Sequence, residues 1–135
     1  MQANSNQIDY LFPAGEPAPE TLGQLSALTP FTDDAIGFFD ALSRSLNKDP
    51  RTRAYPDVAT FAFFCRKAHL LKIKERYDGV LRMGRGVVFH VAPSNVPVNF
   101  AYSLLCGVLA GNINIVRVSS KPFEQVDLIC DALAT

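Results

Sequence analysis

Several features that would announce a function are missing from this sequence. It has no net charge: thirteen lysines and arginines balance thirteen aspartates and glutamates, so no summed field draws in nucleic acid or an anionic membrane surface. It has no CxxC pair and no Cys/His ligand pattern, so no metal site is expected. Cys65, Cys106 and Cys130 are odd in number, widely spaced and set in apolar stretches, which reads as reduced cytosolic thiols. The N-terminus MQANSNQIDYLF has neither a basic segment nor an apolar core of signal-peptide type. The longest apolar stretch, around Phe100 to Ala110, falls short of the roughly 20 residues that span a bilayer, so the expectation is a soluble, cytoplasmic protein. Neither GxGxxG nor GxxxxGK[ST] occurs, and there are no internal repeats or low-complexity tracts.

What is present suffices for one domain. The chain has 135 residues, 48% of them hydrophobic, enough for a single core and too few for two. Residues 1–30 are polar and punctuated by Pro13, Pro17, Pro19 and Pro30, which predicts an extended arm. Ile8, Tyr10, Leu11 and Phe12 interrupt that polarity and fit an arm that docks. Residues 31–83 read as a helical segment. Thr32 followed by Asp33 and Asp34 is a helix start, Ile36, Phe39, Leu42 and Leu46 form its apolar face, and Asp49-Pro50 ends it. A single second helix is expected after Pro56, with Val58, Phe61, Phe64, Cys65, Ala68, Leu71 and Ile73 inward. Lys72, Lys74 and Arg76 read as a solvated face that complements the helix dipole.

Residues 84–135 change period. Residues 86–92 are a short, almost continuously apolar run, the pattern of a parallel strand buried on both faces. Pro93 to Pro97 is a turn, and Pro97 suits the first turn of a helix running to Ala110, closed by Gly111-Asn112. Ile113 to Val118 is a second strand, followed by a turn and a helix from Phe123 to Leu133. Strand, helix, strand, helix with short connections predicts parallel strands. The fold class is α/β: a helical N-terminal arm and the start of a doubly wound, Rossmann-like parallel sheet. Two strands cannot bury both faces and both edges of a sheet, so the expected sheet is incomplete and the chain reads as truncated.

In such sheets ligands sit beyond the carboxyl ends of the strands. Two loops occupy that position, Ala92 to Pro97 and Arg117 to Lys121, and their hydroxyls, amide and two cations suit a phosphorylated ligand. His90 is expected to be a hydrogen-bonded core histidine, and Phe100 and Tyr102 helix packing.

The stretch HVAPSNVPVNFAYSLLCGVLAGNINIVRVSSKPFEQ resembles the acyl-CoA (fatty acid) reductases typified by the LuxC component of bacterial bioluminescence, within the aldehyde dehydrogenase superfamily. The likeness is close from Gly84 to Gln125 and looser upstream. PSNVP, followed at the superfamily's spacing by AGN, carries it. The resemblance implies that long-chain fatty acyl-CoA, or an acylated partner protein, passes its acyl group to an enzyme cysteine, and that hydride from NADPH then releases the fatty aldehyde. Asn95 matches the asparagine whose amide holds the oxyanion; its alternative role is to shape the turn before Pro97. Val91, Ala92, Pro93 and Ser94 match positions where the family's backbone approaches the nicotinamide and its ribose, although Ser94 stands where relatives often carry an aromatic.

Arg117 stands where many relatives carry a lysine and Ser120 where NAD-preferring relatives carry a ribose-binding glutamate, and Arg117, Ser119 and Ser120 can donate to a 2′-phosphate. NADPH is therefore expected over NADH. Arg117 has an alternative role as a strand-end cation in an ion pair. None of the three cysteines has the electropositive setting of an activated thiol, so the nucleophile is expected outside this chain and the chain alone inactive. The intact enzyme is expected to be a homo-oligomer. Two other readings stay open: a non-catalytic module that binds a nucleotide or a partner, and an unrelated small α/β interaction domain.

Overall fold

A computed structural model describes residues 8–13, 15 and 19–135; residues 1–7, 14 and 16–18 of the expected arm lie outside the described residues. The arm is not wholly extended, because a short helix, α1 (Pro19–Gln24), forms within it. Ile8, Tyr10, Leu11 and Phe12 are exposed. What ties the arm down is backbone further along. The Leu28 amide donates to the Gly111 carbonyl at 2.9 Å, the Gly84 amide donates to the Leu28 carbonyl at 2.9 Å, and the Phe31 amide donates to the Leu109 carbonyl at 2.7 Å. A side chain at Gly84 or Gly111 would run into the crossing backbone, and Gly111 has φ +83°, so glycine is required on both counts.

Helix α2 (Asp33–Lys48) forms as its signals predict: the Thr32 hydroxyl accepts the Ala35 N–H, and Asp33 and Asp34 occupy the first turn. Ile36, Phe39, Leu42 and Leu46 are buried. Asp49 then caps a 3-10 turn (Pro50–Ala54) by accepting the Arg51 N–H.

The expected second helix is two helices, α3 (Pro56–Phe64) and α4 (Lys67–Lys74). Arg66 between them is extended, with ψ 137°. The Lys67 amide, freed by that break, donates to the Asp40 carboxylate of α2 at 2.9 Å. One residue out of helical geometry resets the angular phase, so Leu70 is buried while Ala68 and Leu71 face outward. Val58, Phe61 and Cys65, before the break, are buried as expected. A further 3-10 turn (Glu75–Tyr77) ends the segment.

Strand β1 (Val87–Val91), helix α5 (Asn99–Leu109), strand β2 (Ile113–Arg117) and helix α6 (Glu124–Leu133) follow in order. The strands pair in parallel from Val87 beside Ile113 to Val91 beside Arg117, giving an open two-stranded sheet in an α/β fold. Helix α5 begins two residues beyond Pro97, with Val98 as N-cap. Helix α5 packs on both strands, and α2 packs against α3, α4, α5 and α6. One core thus runs from Phe31 to Leu133.

Burial of the strands on both faces is not found. Val87, Phe89, Val91 and Ile115 are exposed, whereas Val88, His90, Asn114 and Val116 are half-buried. Side chains alternate across a strand, and no helix among the described residues covers the outer set.

Candidate functional site

The last rung of the sheet, Val91 beside Arg117, positions the two candidate loops. The Ala92 amide donates to the Arg117 carbonyl at 3.1 Å, so both chains leave the carboxyl edge side by side. Val91 and Arg117, as register partners, share the outer face and are exposed; Ala92 is buried. Pro93, Ser94 and Asn95 are exposed in the turn that follows. Among the described residues no hydrogen bond engages the Asn95 side chain, which leaves its amide free to donate. In the second loop Ser119 is half-buried and Ser120 exposed. The Ser119 hydroxyl oxygen accepts the Lys121 N–H at 3.1 Å, so its own proton is free for another acceptor. All eight sequence-derived residues therefore lie at one edge, on two adjacent segments.

The helices leaving these loops differ electrostatically. Helix α5 starts with no side-chain cap and no acidic residue in its first turn, so its positive end is unneutralised and suits an anion. The Asn99 and Ala101 amides turn back on the Val96 and Val98 carbonyls. Helix α6 carries Glu124 and Asp127 in its first turn. Glu124 accepts the Tyr55 hydroxyl, and that contact raises the Tyr55 pKa. At the second loop, then, the donors available to an anion are side chains, Arg117, Ser119 and Ser120, set against carboxylates one turn away. The donor set fits a phosphorylated nucleotide.

Burial pushes the Cys65 thiol up to about 12 and the Cys130 thiol to about 11, with Asp127 and Asp131 adding to the second. Cys106, although exposed, is also raised by partial desolvation. These shifts are opposite in sign to those of an activated thiol.

Behind the site, His90 Nε2 lies 2.9 Å from Asn114 Oδ1, and Asn114 Nδ2 donates to the Asn112 carbonyl at 2.8 Å. This polar pair faces α5 at Gly107, where a Cβ would strike the Asn114 amide and press on the imidazole. His90 is thus hydrogen-bonded and half-buried, as expected. Sequence reasoning missed Gly107 and Asn114; a glycine inside a helical pattern was the available signal. Phe100 is buried, and Tyr102 meets Phe61 and Phe64 edge to face at 4.9 and 5.6 Å. Both pack the core.

No metal-binding cluster occurs among the described residues, and none of their helices is long and apolar enough to cross a membrane. No curated protein and no solved structure matches the chain. A family model does, over residues 66–131: acyl-CoA reductase (LuxC). That stretch runs from Arg66 through both strands and both candidate loops into α6. Over it, the chain is similar to the acyl-CoA reductase (LuxC) family.

Proposed function

We propose that this chain supplies the cofactor cradle and an oxyanion-holding amide to an NADP-dependent acyl-CoA reductase. The enzyme would act in the cytoplasm, as a homo-oligomer, on long-chain fatty acyl-CoA or on an acylated partner protein. The reading is carried by the rung from Val91 to Arg117, because two donor-bearing loops leave it at the edge where parallel sheets bind ligands.

In this reading the backbone of Val91, Ala92 and Pro93, with Ser94, flanks the nicotinamide and its ribose. Asn95 donates its amide N–H to the acyl oxygen as a thiolate adds to the carbonyl carbon and the C=O electron pair moves onto oxygen. A fixed donor aimed at developing charge contributes about 3–4 kcal/mol in such steps. Collapse of that adduct expels coenzyme A as its thiolate. NADPH, when bound, supplies the hydride that reduces the resulting thioester. The attacking thiolate belongs to a cysteine other than Cys65, Cys106 and Cys130, whose raised pKa values disfavour ionisation. Arg117, Ser119 and Ser120 donate to the 2′-phosphate, and no carboxylate between 117 and 121 repels it.

The test is kcat/KM with NADPH and with NADH in the acyl-CoA-reducing protein that contains this chain. A preference for NADPH of roughly tenfold or more is expected, reversed by Ser120→Glu, since an acidic group there repels the phosphate and accepts from a ribose diol. A higher kcat/KM with NADH in the unmodified enzyme would overturn the cofactor assignment.

A further inference from the structure

We infer that the turn around residues 77–83, flanked in sequence by lysines and arginines, docks on a membrane surface bearing anionic lipid headgroups. The chain is neutral overall, yet Lys72, Lys74, Arg76, Arg82 and Arg85 fall within fourteen residues that hold only Glu75 and Asp78 in opposition. Positive charge is therefore concentrated at the end of α4 and in the turn after it, although the whole molecule has no summed field.

The same turn projects apolar side chains. The chain reverses at Asp78-Gly79, with Gly79 at φ +84°. Beyond the reversal Val80 is 59%, Leu81 91% and Met83 64% exposed. Single exposed hydrophobics need no explanation, but three within four residues make a continuous apolar tip. Cations and tip share one surface. Lys74, Tyr77, Val80, Leu81 and Arg82, with Asp78 as the one carboxylate, line a single shallow depression, and the Arg82 guanidinium lies 5.0 Å from the Tyr77 ring centroid.

The base of the turn is held. Tyr77 stacks on Phe31 at 5.6 Å, the Gly84 amide donates to Leu28, and the Arg85 amide donates to Asn112 Oδ1 at 2.6 Å. A projecting tip on a fixed base needs little ordering when it inserts.

The combination selects the occupant. A free phosphate or an acidic peptide would use the cations and leave Val80, Leu81 and Met83 in water. A purely apolar partner would gain nothing from the cations. A bilayer with anionic headgroups uses both, taking the tip into the acyl boundary and the lysines and arginines at headgroup level. The turn precedes β1, so it lies at the amino edge of the sheet, opposite the cofactor loops. Docking leaves those loops open, and the inference does not depend on the proposed chemistry.

The sequence contains no tryptophan, so Leu81→Trp places a sole indole reporter at the tip. The unmodified chain should float with phosphatidylcholine vesicles containing about one-third phosphatidylglycerol, should not float with phosphatidylcholine alone, and should be released by high salt. The emission of Leu81→Trp should shift to the blue on the mixed vesicles only. Leu81→Asp, and separately Lys74→Glu with Arg82→Glu, should each weaken vesicle binding roughly tenfold or more while far-UV circular dichroism is unchanged. Three results would overturn the inference: no flotation of the unmodified chain, flotation that Leu81→Asp leaves intact, or binding to poly-glutamate without binding to vesicles.

Discussion

The two faces of the β-sheet are built from the same kind of residue and live in different surroundings. On the inner face Val88 and Val116 flank the His90–Asn114 pair beneath α5, and all four are half-buried. On the outer face Val87, Phe89, Val91 and Ile115 are as apolar and are exposed. The identity of a strand residue therefore states what environment it suits, while cover depends on which helices return to that side. Covered side chains should carry stability, and bare ones should carry little until something is laid on them.

The largest effect is expected where cover is complete. Phe39→Ala removes a ring with no solvent exposure and should cost about 3–5 kcal/mol. Phe89→Ala, on the bare face, should stay within roughly 0.5 kcal/mol. Urea unfolding of both variants checks this, and equal losses would break the distinction between covered and bare side chains.

A smaller effect tests the inner face alone. Gly107→Ala forces a methyl into the Asn114 amide and the His90 ring, and should cost about 1–3 kcal/mol. If the polar pair is what it displaces, combining Gly107→Ala with Asn114→Ala should be less destabilising than the sum of the two single changes.

The smallest effect is a pH dependence in the buried core. Burial raises the Cys65 pKa from 9.0 to about 12, so the folded state holds the proton more tightly than the unfolded chain does. That contribution is complete below about pH 9 and is lost as pH climbs toward 12. Thermal melts across the alkaline range should show the advantage of the unmodified protein over Cys65→Ala shrinking with rising pH. A constant difference would mean that Cys65 does not titrate in that window. Thiol labelling gives the counterpart: exposed Cys106 should react before buried Cys65.

Much of the fold was legible because its signals are local. Thr32 with two aspartates, the run 86–92, the Gly111-Asn112 stop and the period of α6 each lie within a few residues, and the elements formed where they predict. The single helix expected after Pro56 failed at Arg66 because the cap that favours the break is Asp40, on another helix and remote in sequence. The arm was misjudged for a similar reason: Leu28 bonds to Gly84 and Gly111, residues that no local pattern links to it. For the candidate site, the resemblance around PSNVP and AGN is what nominates the eight residues, and the register of the two strands sets them at one edge. The supporting pair under Gly107 was not legible, since it depends on strand register.

The sequence by itself determined the order of elements from residue 84 onward, the parallel α/β class and the likeness of residues 66–131 to the acyl-CoA reductase (LuxC) family. Each of these follows from periodicity, turn chemistry or a motif contained in contiguous residues. Only the tertiary structure decided which sheet face is covered, where α3 gives way to α4, and that Leu28 bridges Gly84 and Gly111. Those outcomes depend on distances between residues far apart in the chain, and such distances are set by packing.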